Sequence, residues 1–193
     1  EEVVGSVRWV EETEVMLAFA LSDFIARTAQ QYPIQFMHKL PAIIEHPEHD
    51  GQQYQEYYLQ LRQHLQQTLA TIDNEANLHA GLRQFRHLTM LSIAWRDLVY
   101  KADIKQSLLA LSHLADALIN SANVWLYQNA CERYGNPARV SQQLEDGTPA
   151  LHQQELLIIG MGKLGGHELN FSSDIDLIFV YPESGETNHP RKP

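Results

Sequence analysis

Cysteine is almost missing from this 193-residue chain: Cys131 stands alone. An internal disulfide is therefore impossible, and no cysteine cluster can hold zinc or an iron–sulfur group. The expectation for Cys131 is a small, buried or half-buried helix residue in a reducing, cytoplasmic setting. Basic residues are also scarce, with 14 Lys and Arg against 24 Asp and Glu and a formal net charge of −10. A protein that grips a polyphosphate backbone needs a basic stripe, because phosphate neutralisation supplies much of the affinity. None is visible, so nucleic acid is not an expected partner. Apolar runs fall well short of the roughly 20 residues a membrane helix needs. The opening Glu1-Glu2 lacks the basic-then-apolar layout of a secretion signal.

What is present is a globular composition, 44% hydrophobic and 20% charged. Residues 1–150 are expected to form a helical domain. Over residues 7–30, Val10, Met16, Leu17, Ala20, Leu21, Phe24 and Ile25 recur at three-and-four spacing, the pattern of one amphipathic helix. Pro33, Pro41 and Pro47 then mark a broken segment. Residues 51–69 follow as a Gln-rich helix with Tyr54, Tyr58, Leu61 and Leu65 inward. Asp73 or Asn74 can cap the next helix and Asp103 a longer one, which Gly135 stops. Residues 136–154, with Pro137, Gly147 and Pro149, read as a loop. Two short apolar runs, 155–159 and 175–181, carry the β signal, and Pro182 ends the second.

Between those runs lies GMGKLGGHELNFSSDIDLIFVY, residues 160–181. Gly160, Gly162 and Gly165 have the G-x-G-x-x-G spacing of a dinucleotide turn. Such a turn needs a full crossover helix and an acid at the end of the second strand about 20 residues on. Only residues 161–173 separate the runs here, and Asp174 and Asp176 open the second strand instead of closing it. A Walker loop is excluded too, since Lys163 has neither the four-residue spacer nor the Ser/Thr.

A metal site suits the pattern better. On a strand, residues i and i+2 share a face with Cα atoms about 6.5 Å apart, so Asp174 and Asp176 could hold one or two hard cations through oxygen. Such cations clamp the attacking and leaving oxygens of a displacement at phosphorus. Gly165-Gly166 is expected to open a short helix over residues 166–170 whose free N–H groups cradle a phosphate. Glycine pair, short helix and Asp-x-Asp on a strand is the layout of the polymerase-β-like nucleotidyltransferases. The bland alternative is a pair of solvated acids at a strand entrance.

The string Gly160-Met-Gly-Lys-Leu-Gly-Gly-x-Glu-Leu-Asn-x-Ser-Ser-Asp-Ile-Asp-Leu-Ile-Phe closely resembles the bifunctional glutamine synthetase adenylyltransferase/adenylyl-removing family. The resemblance continues upstream through Leu82-Arg-Gln-Phe-Arg, Met90, Ile93-Ala-Trp-Arg and Trp125-Leu-Tyr. The Asn170 and Ser172-Ser173 wording is similar to the N-terminal, adenylyl-removing half. The resemblance implies an α+β fold: a mainly helical N-terminal bundle, then residues 151–193 as the first strands of a polymerase-β-like nucleotidyltransferase domain. It also implies phosphorolysis of adenylyl-tyrosine on glutamine synthetase, with Mg²⁺ or Mn²⁺ on Asp174 and Asp176 as catalytic and metal residues. Gly165, Gly166, Lys163, Asn170 and Ser173 would bind phosphate or nucleotide. Implied partners are adenylylated glutamine synthetase, a PII-type regulatory protein, inorganic phosphate and ADP or ATP. In the family a further acidic strand completes the site beyond Pro193, so residues 1–193 alone are expected to turn over little. Two alternatives stay open: adenylyl transfer from ATP, or a non-catalytic docking fragment.

Elsewhere, His46-Pro-Glu-His49-Asp50 reads as a solvated loop, and His167 as exposed. Glu168 is read as support for the short helix, with metal binding as the lesser alternative. Arg83, Arg86 and Arg96 share one helix, where they either form salt bridges to neighbouring helices or meet a nucleotide phosphate or partner protein. Trp95, Tyr100, Trp125 and Tyr127 read as bundle core and rim.

Overall fold

A computed structural model describes residues 12–45, 53–143, 149–182 and 187. Residues 7–11, the histidine segment 46–50 and, apart from Thr187, the tail from 183 onward lie outside the described residues. The elements run α1 (Glu12–Leu21), α2 (Asp23–Gln31), α3 (Pro33–Glu45), α4 (Gln53–Leu69), α5 (Glu75–Val99), α6 (Ile104–Tyr134), β1 (Ala138–Gln143), β2 (Pro149–Gln153), β3 (Leu157–Gly160), α7 (Gly162–Gly165) and β4 (Leu177–Val180). The chain is α+β, a helical bundle followed by short antiparallel strand pairs.

Caps settle where the long helices begin. Asn74 Oδ1 accepts from Asn77 N at 2.9 Å and Asp103 Oδ1 from Lys105 N at 3.0 Å, each satisfying an orphan donor of a first turn. Gly135, at φ 86°, closes α6. Three stretches differ from their sequence expectation. The helix expected over 7–30 breaks at Ser22, whose hydroxyl accepts from Ile25 N at 3.3 Å and so starts α2. The proline-broken segment is instead α3: Pro33 takes the first helical position, where no N–H is needed, and the helix runs on through Pro41. The expected loop 136–154 contains the β1–β2 hairpin, with Ala138 opposite Gln153 and Gln143 opposite Pro149.

Helix α5 is the centre of the bundle. One side packs with α4 and α6 around Leu61, Leu65, Leu78, Phe85, Ile93 and Leu114. The other side, through Leu91, Ala94 and Trp95, meets Ala18, Ile25, Ala29 and Phe36 of α1 to α3. The aromatic residues sit as expected: Trp95 is fully buried, while Tyr100, Trp125 and Tyr127 are half-buried. Trp125 Nε1 donates to Ile72 O at 3.3 Å and ties α6 to the turn between α4 and α5. Cys131 is half-buried in α6. Among the described residues, no helix is long and apolar enough to cross a membrane.

Candidate active site

Strands β3 and β4 pair antiparallel, with Leu157 opposite Val180 and Gly160 opposite Leu177. A dinucleotide turn joins parallel strands, so this register rules that arrangement out for the glycine motif. Pairing continues past the last rung, because Met161 N donates to Asp176 O at 2.9 Å. That bond pins the backbone of Asp176 beside the point where the glycine turn leaves β3. The strand itself, Leu177–Val180, begins two residues later than the run expected from residue 175. Asp174 and Asp176 lie in the irregular lead-in to β4, both exposed, so the same-face rule for strands does not govern them.

The helical turn is also shifted. It was expected over residues 166–170, but α7 occupies Gly162–Gly165. Gly165 N donates to Met161 O at 3.2 Å and Gly166 N to Gly162 O at 3.0 Å. The amides of the glycine pair are thus spent inside the turn and do not form the free cradle that was expected. Each glycine has its own cause. Gly162 holds φ +55°, a left-handed conformation in which L side chains are strained, and a Cβ on Gly165 would stand 2.6 Å from Gly160 O. At Gly166 a Cβ would meet nothing closer than 3.6 Å, so the fold does not require that missing side chain.

Apolar residues of the motif root it in the bundle. Leu164 and Leu169 are buried in the same cluster as α4, α5 and α6, and Phe171 packs against both clusters. The amide of Leu169 donates to Ser112 Oγ on α6 at 3.1 Å, a buried bond across 57 residues of sequence. Ser112 was not singled out by the sequence, and nothing local to α6 marks it. Two further ties come from α6: Asn123 Nδ2 donates to Leu156 O at 3.4 Å and Tyr127 OH to Gln154 O.

Three of the expected site residues meet. Asn170 Oδ1 accepts from Ser173 Oγ at 2.6 Å and from Ser172 N at 3.2 Å. Lys163 Nζ donates to Ser173 Oγ at 3.2 Å. The hydroxyl of Ser173 therefore links a cation to an amide immediately before Asp174. Glu168 is exposed, and its N–H donates to Lys163 O at 2.7 Å, closing the turn. Behind this chain of bonds lies a cavity of about 250 Å³ between α5, α6 and the segment 169–175. Arg86, Asn170, Ser173 and Asp174 line its polar part.

The three arginines of α5 divide. Among the described residues none of them forms an ion pair, so the salt bridges weighed for them are not made there. Arg96 lies over the Tyr57 ring at 5.7 Å, Arg83 is exposed, and Arg86 reaches the cavity. His167, exposed as expected, adopts φ 56° and meets His113 edge-on at 5.9 Å. Burial pushes the nearby Asp116 carboxyl above its usual range, against the pull of His167 and His113.

Among the described residues no group of three or more His, Cys, Asp or Glu side chains is placed to hold a metal. The donor set at the turn is Asp174 and Asp176, hard oxygen donors open to solvent. Mg²⁺ keeps several waters and is commonly bound by one or two carboxylates plus substrate phosphates, so these two residues fit such an ion.

A family model described as glutamate-ammonia ligase adenylyltransferase matches residues 13–192. The chain is 39% identical over 181 residues to a bifunctional glutamine synthetase adenylyltransferase/adenylyl-removing enzyme of Shewanella frigidimarina, covering 92% of this chain. It is 40% identical over 179 residues to the protein of that name in Shewanella loihica, covering 93% of this chain. The chain spans 17% of the length of each of these curated relatives. On the extent of these matches, the chain belongs to the glutamate-ammonia ligase adenylyltransferase family.

Proposed function

We propose that the chain carries part of the nucleotidyl-transfer site of an adenylyl-removing enzyme that acts on glutamine synthetase. An oxygen of inorganic phosphate attacks the phosphorus of the adenylyl-tyrosine. The bond from that phosphorus to the phenol oxygen breaks, ADP leaves, and the phenolate takes up a proton. Asp174 and Asp176 would hold Mg²⁺ or Mn²⁺, which when bound offsets charge on the attacking and leaving oxygens. Lys163, through its bond to Ser173, sets a positive charge beside Asp174. Asn170 keeps Ser173 in place. Gly165 keeps the turn against β3, while bare Gly166 leaves room for a phosphate to approach. A cytoplasmic setting, and a PII-type regulator docking on the helices, go with this reading.

The observation that carries it is the bond from Met161 N to Asp176 O, which fixes one acid at the mouth of a turn whose neighbours are Lys163, Ser173 and Asn170. Titration with Mn²⁺ tests it: the chain should bind the ion and Asp176→Ala should not. Equal binding by both would leave the acids idle and favour a docking fragment. Adenylyl transfer from ATP would use the same residues. The direction is decided by offering adenylylated glutamine synthetase with phosphate, or the unmodified enzyme with ATP, and following which is consumed.

A further inference from the structure

The cavity behind Asp174 is one of two of about 250 Å³ against the bundle among the described residues, and the one that meets the glycine motif; voids larger than a water are few in protein interiors. Its inner walls are apolar, formed by Met90 of α5, Leu111, Leu114 and Leu118 of α6, and Leu169 and Phe171 of the motif. A site lined this way gains little from water, since buried water needs two to four polar partners. Inserting a flat ring would bury apolar surface on both sides. Its volume of about 250 Å³ falls below the roughly 300–1,000 Å³ of pockets that enclose a whole drug-sized ligand. A single ring system therefore fits, with the rest of its molecule outside.

The polar part points to what that rest is. Arg86 has no anionic partner among the described residues, although the chain carries a net charge of −10. Burial first, and then the charge of Arg86 and that of Arg83, lower the pKa of His87. The Asn170 oxygen is committed to Ser172 and Ser173, while its Nδ2 has no partner among the described residues and can donate. A guanidinium and an amide donor beside a carboxylate that can take a cation are groups for a phosphate ester. Apolar slot and anion-binding mouth are contiguous.

Resting on the nucleotidyl-transfer reading above, we infer that this cavity takes the purine base of the nucleotide and that Arg86 holds its phosphate. The helical bundle then supplies half of the nucleotide site, from α5 and α6 residues that begin with Arg86, 74 positions before Gly160. A phenol ring next to a phosphoryl group has related chemistry, so the tyrosine of the protein substrate is the competing occupant. The volume of about 250 Å³, more than a single six-membered ring fills, favours the base.

Calorimetry of the chain with Mg²⁺ and ADP, pyrophosphate or phenyl phosphate tests this. The chain should bind ADP more tightly than pyrophosphate. Arg86→Gln, at an exposed position, should weaken both by about tenfold or more, the loss of a charge-assisted bond. Ala115→Leu, which fills the cavity, should erase the preference for ADP and leave pyrophosphate unchanged. Circular dichroism of each variant checks the fold, and Leu118→Phe repeats the filling should Ala115→Leu unfold. ADP binding lost in Asp176→Ala but intact in Arg86→Gln and the filled variants would keep the active-site reading and overturn this one. No ADP binding by the parent, or phenyl phosphate outcompeting ADP for the parent but not for the filled variants, would overturn it as well.

Discussion

Two neighbouring glycines should answer one substitution in opposite ways. An alanine Cβ at position 165 would stand 2.6 Å from Gly160 O and 3.4 Å from Gly160 C. Both atoms belong to the backbone of β3, which is paired to β4, so neither can swing aside as a side chain would. Overpacking of this sort costs about 1–3 kcal/mol. In a chain of this length each kcal/mol moves Tm by about 2–4 °C, giving a fall of roughly 2–12 °C for Gly165→Ala. At position 166 the nearest atoms are 3.6 and 3.9 Å away, and the backbone, at φ −86°, suits alanine. Removing glycine's freedom from the unfolded chain there is worth about 0.4–1 kcal/mol, a rise of roughly 1–4 °C. Thermal melts followed by circular dichroism at one pH decide the matter. An unchanged Tm for Gly165→Ala, or equal losses at both positions, would refute the steric account of the turn. Gly166→Ala, folded, should still bind phosphate more weakly than the parent, because its methyl occupies the approach.

Ser112→Ala removes the acceptor of the Leu169 amide in a buried setting, so urea unfolding should show a loss of about 1–3 kcal/mol; an unmoved midpoint would deny that bond its weight. The His87 ring lies beside Phe24 and Tyr32, and burial, Arg86 and Arg83 hold its pKa below the ordinary 6.5. The stability from its neutral form is present above pH 6.5 and is lost as pH falls through the lowered value. His87→Gln should therefore flatten the drop in Tm on acidification, with His64, lowered for similar reasons, leaving a residual slope. Asp116 has the opposite sign: its folded pKa is raised above 3.8, so its contribution is present below that value and is lost as pH rises through the raised one. Asp116→Asn should raise Tm at neutral pH, and the gain should vanish in acid.

Short-range chemistry was legible in the sequence, and long-range placement was not. Asn74, Asp103 and Gly135 cap as read, because a cap involves only a side chain and the backbone of its own first or last turn. The break at Ser22 was hidden since apolar residues keep helical spacing on both sides of it, from Met16 to Ile25. The β1–β2 hairpin escaped because Ala138–Gln143 alternates only from Ala138 to Ser141, then ends in two glutamines, and has Val140 as its one strong strand former, too short a pattern to outweigh the flanking prolines and glycine. The motif disclosed its residues but not its geometry. Glycine spacing alone does not say that Gly165 answers to Gly160 while Gly166 answers to nothing in the fold. Likewise Arg86 and Asp174 meet one cavity only through the packing of α5 and α6, and no periodicity in either segment encodes that.

Leu164 and Leu169 lie in the same oil as the long helices, so opening the loop between them uncovers core that the helices share. Any ion or small molecule that grips this loop is thereby coupled to ellipticity arising far from it, since a ligand that binds only the native form raises the whole transition. Far-ultraviolet melts, which see almost nothing but helix here, become a direct gauge of what the turn holds.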